Sequence, residues 1–155
     1  TVSSDTRDEL AEKDGCAFTI NYKNENVFEK VKEITEGKGV TVVYDGVGKD
    51  TFNVSLECLD FRGLFVSFGQ SSGMVPIIDL HKTFNPKSLY YTRPTLMHYT
   101  STRNELEQSS NLLFNKIQNN EIKEHIFKTI NLKDAAEAHT LIESRQSTGS
   151  IILKP

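Results

Sequence analysis

The sequence has few cysteines, no long apolar run and no excess of basic charge. Its two cysteines, Cys16 and Cys58, stand far apart, which argues against a disulfide framework or a thiolate metal site and suits a reducing cytosol. No apolar run approaches the roughly 18 residues that a membrane span needs, and the polar N-terminus has no signal-peptide core. We therefore predict a cytoplasmic protein that is not inserted into a membrane.

The charge balance and the histidines exclude further classes. Lys and Arg total 18 against 21 Asp and Glu, a formal net charge of -3, and no basic stripe interrupts this balance. Because nucleic acid and anionic lipid are recognised through basic surfaces, neither is expected as a partner. None of the 4 histidines has a neighbour at a ligand spacing such as His-x-x-x-His. We therefore expect no metal and no catalytic histidine.

A further absence concerns the start of the chain. Residues Thr1 to Asp5 read as the exit of a β-strand with no strand in front of it. The sequence also lacks Gly-x-Gly-x-x-Gly, the turn that holds a dinucleotide pyrophosphate at a helix N-terminus. We expect the chain to begin inside a nucleotide-binding fold.

Strand and helix patterns alternate through the first half of the sequence. Val40 to Tyr44 is a β-branched and aromatic run typical of a strand buried on both faces, and Leu64 to Phe68 is a second apolar strand after the break at Gly63. Helical spacing precedes each one, in residues 27–34 and 52–59. This alternation predicts an α/β fold with a doubly wound parallel sheet.

Weaker patterns complete the predicted element order. They are a helix after a cap at Asp5, a strand from Ala17 to Tyr22, a strand near Leu89 to Thr92, a helix from Arg103 to Gln118 that buries Leu106, Leu113 and Ile117, and a strand, helix and strand at about 125–130, 133–144 and 150–153.

Candidate binding residues follow the predicted strands, where ligands of open α/β sheets bind. Ser3, Ser4 and Arg7 follow the first strand end, where a serine and a basic residue in place of a carboxylate are typical of an NADP site. Taken by themselves, these residues are more simply explained by a helix cap followed by a solvated charge. Glycines follow the strands at Gly46, Gly48 and Gly69, and either a turn or close backbone approach to a ligand accounts for them.

Several longer motifs carry a resemblance to a known family. They are Ile20-Asn21-Tyr22, the run from Val43 to Phe52, Ser55 to Leu59, Arg62-Gly63 leading to Val66-Ser67-Phe68-Gly69, Ser88-Leu89-Tyr90 leading to Thr92-Arg93-Pro94-Thr95-Leu96, Asp134 to His139, and Ser147 to Ser150. In these motifs and their order the whole chain resembles the quinone oxidoreductase (zeta-crystallin-like) branch of the medium-chain dehydrogenase/reductase superfamily. Members of that branch reduce quinones with NADPH and use no catalytic metal.

The resemblance implies a set of cofactor contacts. Ser4, Arg7 and Tyr22 would hold the adenosine 2'-phosphate of NADPH. The remaining contacts would come from Val47, Gly48, Phe68, Gly69, Gln70 and Arg145, the last from the other side of the cleft. Gln70 stands where the family usually has Asn, and residues 81–87 depart from the family pattern. No catalytic side chain is implied in this chain.

The resemblance also implies that this is the C-terminal portion of a longer enzyme. Residues 1–120 would form a partial NADP-binding Rossmann domain that lacks its first strand and glycine-rich turn. Residues 121–155 would form a strand, helix and strand that return to a GroES-like catalytic domain. We expect such a chain to be inactive alone and to act on a quinone-like substrate only in the complete enzyme.

The absent strand is the central one of the family's sheet, so its neighbours would keep unpaired edges. Each buried unsatisfied backbone group costs about 1 to 3 kcal/mol, against about 5 to 15 kcal/mol of stability for a whole domain. We therefore expect either a homo-oligomer formed through the edge strand near Leu89 to Thr92, association with the absent N-terminal half, or a rearranged sheet. A non-catalytic, self-associating remnant of a split gene and a methyltransferase-like domain are the alternative functions.

Overall fold

The computed structural model describes residues 1–144 and 147–155, which form two compact units, Thr1–Ser101 and Thr102–Pro155. Each unit has its own parallel sheet, of three strands in the first and two in the second. These sheets with their helices confirm the α/β class. The domain boundary at residue 120 stays a prediction.

The first unit contains most of the helices and the larger sheet. Its elements are α1 (Asp5–Lys13), α2 (Val27–Ile34), β1 (Val40–Asp45), α3 (Phe52–Cys58), β2 (Leu59–Ser67), α4 (Leu80–Thr83), a 3-10 turn (Asn85–Lys87), β3 (Tyr90–Thr92) and α5 (Leu96–Tyr99). The strands lie in the order β1-β2-β3 and all run parallel. Their carboxyl ends therefore meet at one edge of the sheet, where the candidate residues were expected.

Two expectations for the start of the chain were wrong. The N-cap of α1 is Ser4, and Asp5 is the first helical residue. Residues 17–22 form no strand, because among the described residues their pairing is limited to an isolated parallel bridge between Val2 and Asn21. A single bridge is not enough pairing to make this segment a β-strand.

The strand β2 is longer than predicted, because Gly63 lies inside it instead of ending the preceding segment. Its pairing with β1 shifts register between Val40, opposite Leu59, and Val42, opposite Leu64. The extra residues of β2 include Arg62, whose φ of 60° is left-handed. Gly63 therefore lies in an irregular stretch of β2 that forms a β-bulge opposite β1.

The core lies under β2 and is built from aromatic and aliphatic side chains. Phe52, Leu56, Leu59 and Phe65 are buried together, and the rings of Phe52 and Phe65 meet edge to face with centroids 5.5 Å apart. Cys58 is also buried, as expected for a small apolar side chain.

The expectation that β1 is buried on both faces was wrong. Tyr44 is 73% exposed and Val42 is 37% exposed. In the part of the chain that the structure describes, β1 pairs with β2 alone, so its other edge is open. The apolar run of β1 therefore predicted the strand correctly but not its burial.

The second unit contains α6 (Arg103–Gln118), β4 (Ile126–Asn131), a 3-10 turn (Leu132–Asp134), α7 (Ala135–Glu143) and β5 (Ser150–Lys154). A capping box fixes the start of α6: the Thr102 hydroxyl accepts from the Glu105 amide, and the Glu105 carboxylate accepts from the Thr102 amide. The expected burial was wrong for Leu106 and Leu113, which are 43% and 46% exposed, while Ile117 is half-buried.

No helix among the described residues is both long and apolar enough to cross a membrane.

Candidate functional site

The carboxyl ends of β1 and β2 continue into two loops that bind each other. We name residues 46–50 the first loop and residues 68–73 the second loop. The Ser72 amide donates to the Val47 carbonyl at 2.8 Å, and the Lys49 amide donates to the Gly73 carbonyl at 3.1 Å. The Ser72 hydroxyl adds a bond of 2.8 Å to the same Val47 oxygen. The two loops therefore form a single hydrogen-bonded surface at the edge of the sheet.

Two glycines allow the loops to touch. A Cβ added to Gly69 would collide with the Gly46 carbonyl oxygen and would lie 2.8 Å from the Gly46 Cα. A Cβ added to Gly46 would lie 3.0 Å from Cζ of Phe68. Loop packing therefore requires glycine at position 69, whereas a Cβ at position 46 would be in tight contact with the Phe68 ring alone. Glycine also leaves backbone accessible to a ligand.

Asp45, the last residue of β1, holds the first loop in place. It is only 4% exposed, and one carboxylate oxygen accepts from the amides of Val47 at 2.8 Å and Gly48 at 2.9 Å. The other oxygen accepts from the hydroxyls of Thr51 and Ser55, each at 2.7 Å. Four donors thus converge on one buried carboxylate that joins β1, the first loop and α3.

These donors decide the protonation state of Asp45. Burial acts to raise the pKa of the carboxyl, but the hydrogen bonds from Thr51, Gly48, Ser55 and Val47 together outweigh burial and lower the pKa below its ordinary value. Asp45 is therefore an ionised structural anchor at neutral pH, without the raised pKa of a general acid.

The loops present five of the residues expected to line a cofactor. Val47 is 38% and Phe68 57% exposed, and Gln70 is also exposed. Gly48 is buried beneath Gln70, and Gly69 is half-buried against the first loop. The surface therefore combines two apolar side chains with polar backbone and one amide.

A second group of candidate residues lies at the start of the chain. The bridge between Val2 and Asn21 consists of the Val2 amide donating to the Ile20 carbonyl at 2.9 Å and the Tyr22 amide donating to the Val2 carbonyl at 3.2 Å. It brings the segment that leads into Ser3 and Ser4 next to the segment that leads into Tyr22. We name Ser3, Ser4, Arg7 and Tyr22 the N-terminal cluster.

The side chains of the N-terminal cluster are half-buried or exposed. Ser4 is the N-cap of α1, yet its side chain makes no capping hydrogen bond. Arg7 Nη1 donates to the Ser3 hydroxyl at 3.2 Å, which leads the guanidinium toward the serines. Tyr22 is 47% exposed. A hydroxyl, a guanidinium and a phenol are groups that can bind an anion such as a phosphate.

Asn21 is a positioning residue that sequence reasoning missed. It is buried, its side chain donates to the Asp5 carboxylate at 3.2 Å and accepts from the Lys23 amide at 3.2 Å, and its own amide donates to Glu25 at 2.9 Å. These bonds tie α1 to the turn that carries Tyr22. The only sequence signal was its place inside the Ile20-Asn21-Tyr22 motif.

Two other expectations concern Arg145 and the absence of a metal. Arg145 lies outside the described residues. Within residues 1–144 and 147–155, no group of three or more His, Cys, Asp or Glu side chains is placed to hold a metal ion. Metal independence stays a prediction.

Known proteins that are similar to this chain match it over most or all of its length. The sequence model of a family described as zinc-binding dehydrogenase matches residues 1–115. The chain is 47% identical over its full length to a quinone oxidoreductase of Salmonella typhimurium, of which it covers 48%. It is 43% identical over its full length to a 2-haloacrylate reductase of a Burkholderia species, of which it covers 47%.

A solved structure agrees in fold as well as in sequence. The chain matches Escherichia coli quinone oxidoreductase complexed with NADPH with a TM-score of 0.92 and 47% identity, covering 99% of this chain and 48% of that one. The chain thus spans about half the length of the curated relatives it matches.

Proposed function

This chain belongs to the zinc-binding dehydrogenase family, and from that membership we propose that it is the C-terminal, cofactor-binding portion of an NADPH-dependent quinone oxidoreductase. NADPH would supply the hydride, and this portion would bind and orient it. The loops after β1 and β2 provide one part of the surface, at the carboxyl edge of the sheet as in other open α/β folds, and the N-terminal cluster would provide the other.

The observation that carries the proposal is the N-terminal cluster. Ser4 caps α1 without using its hydroxyl on the helix, and Arg7 brings its guanidinium to the neighbouring serine. These groups with the phenol of Tyr22 would hold the 2'-phosphate that distinguishes NADPH from NADH.

The two loops would hold the rest of the cofactor. Val47 and Gly48 would lie along it, and Phe68, Gly69 and Gln70 would approach the nicotinamide half. The two packed glycines, Gly46 and Gly69, support this role. Because neither has a side chain, the flat nicotinamide ring could approach the backbone closely there. Arg145 would reach the cofactor from the opposite side.

The acceptor would be a small electron-poor molecule such as a quinone. A 2-haloacrylate reductase is also among the similar proteins, so a 2-haloacrylate is the competing acceptor. The complete enzyme would work in the cytoplasm, without a metal, and as an oligomer formed through β3 or with an N-terminal half.

Titration of the purified chain with NADPH tests the proposal. We expect saturable binding that Arg7→Ala weakens about tenfold or more, because a charge-assisted contact to phosphate is lost. Lys13→Ala removes the same charge from the last turn of α1 and is the matched control. Equal binding by the Arg7 and Lys13 variants would contradict the proposed 2'-phosphate site.

The same titration separates the alternative functions. A non-catalytic scaffold would show no saturable NADPH binding. A methyltransferase-like domain would bind S-adenosylmethionine instead. Either result would replace the proposed function.

A further inference from the structure

The second loop is tied to the sheet by a side chain that has no assigned role. Arg93 directly follows β3, and its Nη1 donates to the Ser67 carbonyl at 2.7 Å and, more weakly, to the Gly69 carbonyl at 3.4 Å. Its Nη2 donates to the Gln70 side-chain oxygen at 3.2 Å. One guanidinium therefore contacts the residues on both sides of Phe68 and also Gln70.

The sheet explains why an arginine is needed at this point. Pairing of β2 with β3 ends at Val66 and Thr92, one residue before Ser67. Ser67 is only 2% exposed, so its carbonyl lies in the interior beyond the last ladder bond on this side. A buried carbonyl needs a donor, and the planar fork of arginine can reach several acceptors at once. Pro94 favours an extended backbone at Arg93, which helps to fix the side chain's starting point.

The Arg93 contacts complement those that the first loop makes. On the β1 side, the Phe68 amide donates to the Asp45 carbonyl at 2.9 Å, and the Ser72 amide donates to the Val47 carbonyl of the first loop at 2.8 Å. Arg93 holds the same loop from the β3 side. Phe68 and Gly69 are thus clamped between the end of β1 and the end of β3.

We propose that Arg93 is a positioning residue for the nicotinamide end of the cofactor, which it serves by fixing Phe68, Gly69 and Gln70 without touching the 2'-phosphate. This inference rests on the proposed function. It gives Gln70 a structural contact as well, since its side-chain oxygen accepts a hydrogen bond from Arg93.

Two ligands separate the two ends of the site. For Arg93→Gln we expect the dissociation constant of NADPH to rise about tenfold, while that of 2',5'-ADP, which reaches only the N-terminal cluster, changes less than about twofold. Arg62→Gln removes the same charge from the other end of β2 and should change neither constant. Gln70→Ala removes one of the contacts and should raise the NADPH constant by less than Arg93→Gln does.

Hydrogen exchange gives a readout that needs no cofactor. In Arg93→Gln the amides of Phe68, Gly69 and Ser72 should exchange faster, while those of the β1–β2 ladder should be unchanged. Faster exchange everywhere would mean general destabilisation and would overturn a local positioning role.

The outcomes distinguish the inference from the function on which it rests. If the unaltered chain binds neither 2',5'-ADP nor NADPH, the proposed function fails, and the exchange pattern alone decides whether Arg93 fixes the loop. If Arg93→Gln binds both ligands as the unaltered chain does, or loses both equally, the inference is wrong and the proposed function stands.

Discussion

At the scale of single residues, the charge of Asp45 supports four hydrogen bonds. Its carboxylate receives two backbone amides and two hydroxyls while almost fully buried. An uncharged Asn at this place keeps one oxygen acceptor and turns an amide donor toward the hydroxyl groups. The stability of the first loop therefore depends on the ionised form.

Asp45→Asn should lower the free energy of unfolding at pH 7 by about 1 to 3 kcal/mol. Because the folded pKa of Asp45 is lowered, its contribution is fully present above its unfolded pKa of about 3.9 and is lost as the pH falls through the folded pKa. Urea unfolding between neutral pH and pH of about 3 measures both effects. Asp50→Asn, on the same loop and exposed, is the control, and a difference that stays constant in acid would contradict this account.

The contact between the loops depends on Gly69. Gly69→Ala should weaken NADPH binding and destabilise the chain by about 1 to 3 kcal/mol, because the new methyl group must push the Gly46 carbonyl away. Thermal unfolding and NADPH titration test it. Gly15→Ala is a control for glycine loss without a collision, since no atom lies near its Cβ, although its positive φ carries a cost of its own. Unchanged cofactor affinity in Gly69→Ala would show that the loop contact is not needed for binding.

Among the elements, β2 carries the core of the first unit. Phe65 is completely buried and meets Phe52 and Tyr91, whose ring centroids lie 5.5 and 5.7 Å away. Phe61 on the same strand is 68% exposed. The two phenylalanines give the same substitution in opposite environments.

Phe65→Ala should lower the free energy of unfolding by about 3 to 5 kcal/mol, whereas Phe61→Ala should change it by less than about 0.5 kcal/mol. Denaturant unfolding followed by circular dichroism compares them. Similar losses for both would mean that the face of β2 is assigned wrongly.

The sequence predicted the elements better than it predicted their surroundings. Apolar periodicity located α2 and α6, and the β-branched run located β1, because these signals are local. Burial of β1 and α6 was predicted wrongly, since it depends on which neighbours cover them. The order of strands along the chain was enough to locate the residues that follow them. The hydrogen bonds of Asp45 and Asn21 could not be predicted in this way, because they join residues from different elements.

For the whole molecule, the three-stranded sheet has two open edges among the described residues, at β1 and β3. Open edges of parallel strands are sites for pairing with another chain. Tyr44 on β1 and Tyr90 on β3 are 73% and 63% exposed, so each edge has an aromatic side chain that a charge can replace.

If copies associate through β3, Tyr90→Lys should raise the dissociation constant of the oligomer at least about tenfold, because a charge would be buried at the interface. Tyr44→Lys should leave it unchanged. Sedimentation equilibrium over a range of concentrations measures both. Dissociation by Tyr44→Lys alone would move the interface to β1.

The chain should not turn over a quinone by itself. It contains no glycine-rich pyrophosphate turn and spans about half the length of the relatives it matches. NADPH oxidation with a simple quinone should not exceed the blank, followed by absorbance of NADPH. Steady turnover by the pure chain would contradict this.

The central claim is that the N-terminal cluster recognises the 2'-phosphate, which distinguishes NADPH from NADH. The most direct measurement is calorimetric titration of the unaltered chain with 2',5'-ADP and with 5'-AMP, which differ only in that group. We expect 2',5'-ADP to bind at least about tenfold more tightly. Equal affinities, or binding of neither, would contradict the account.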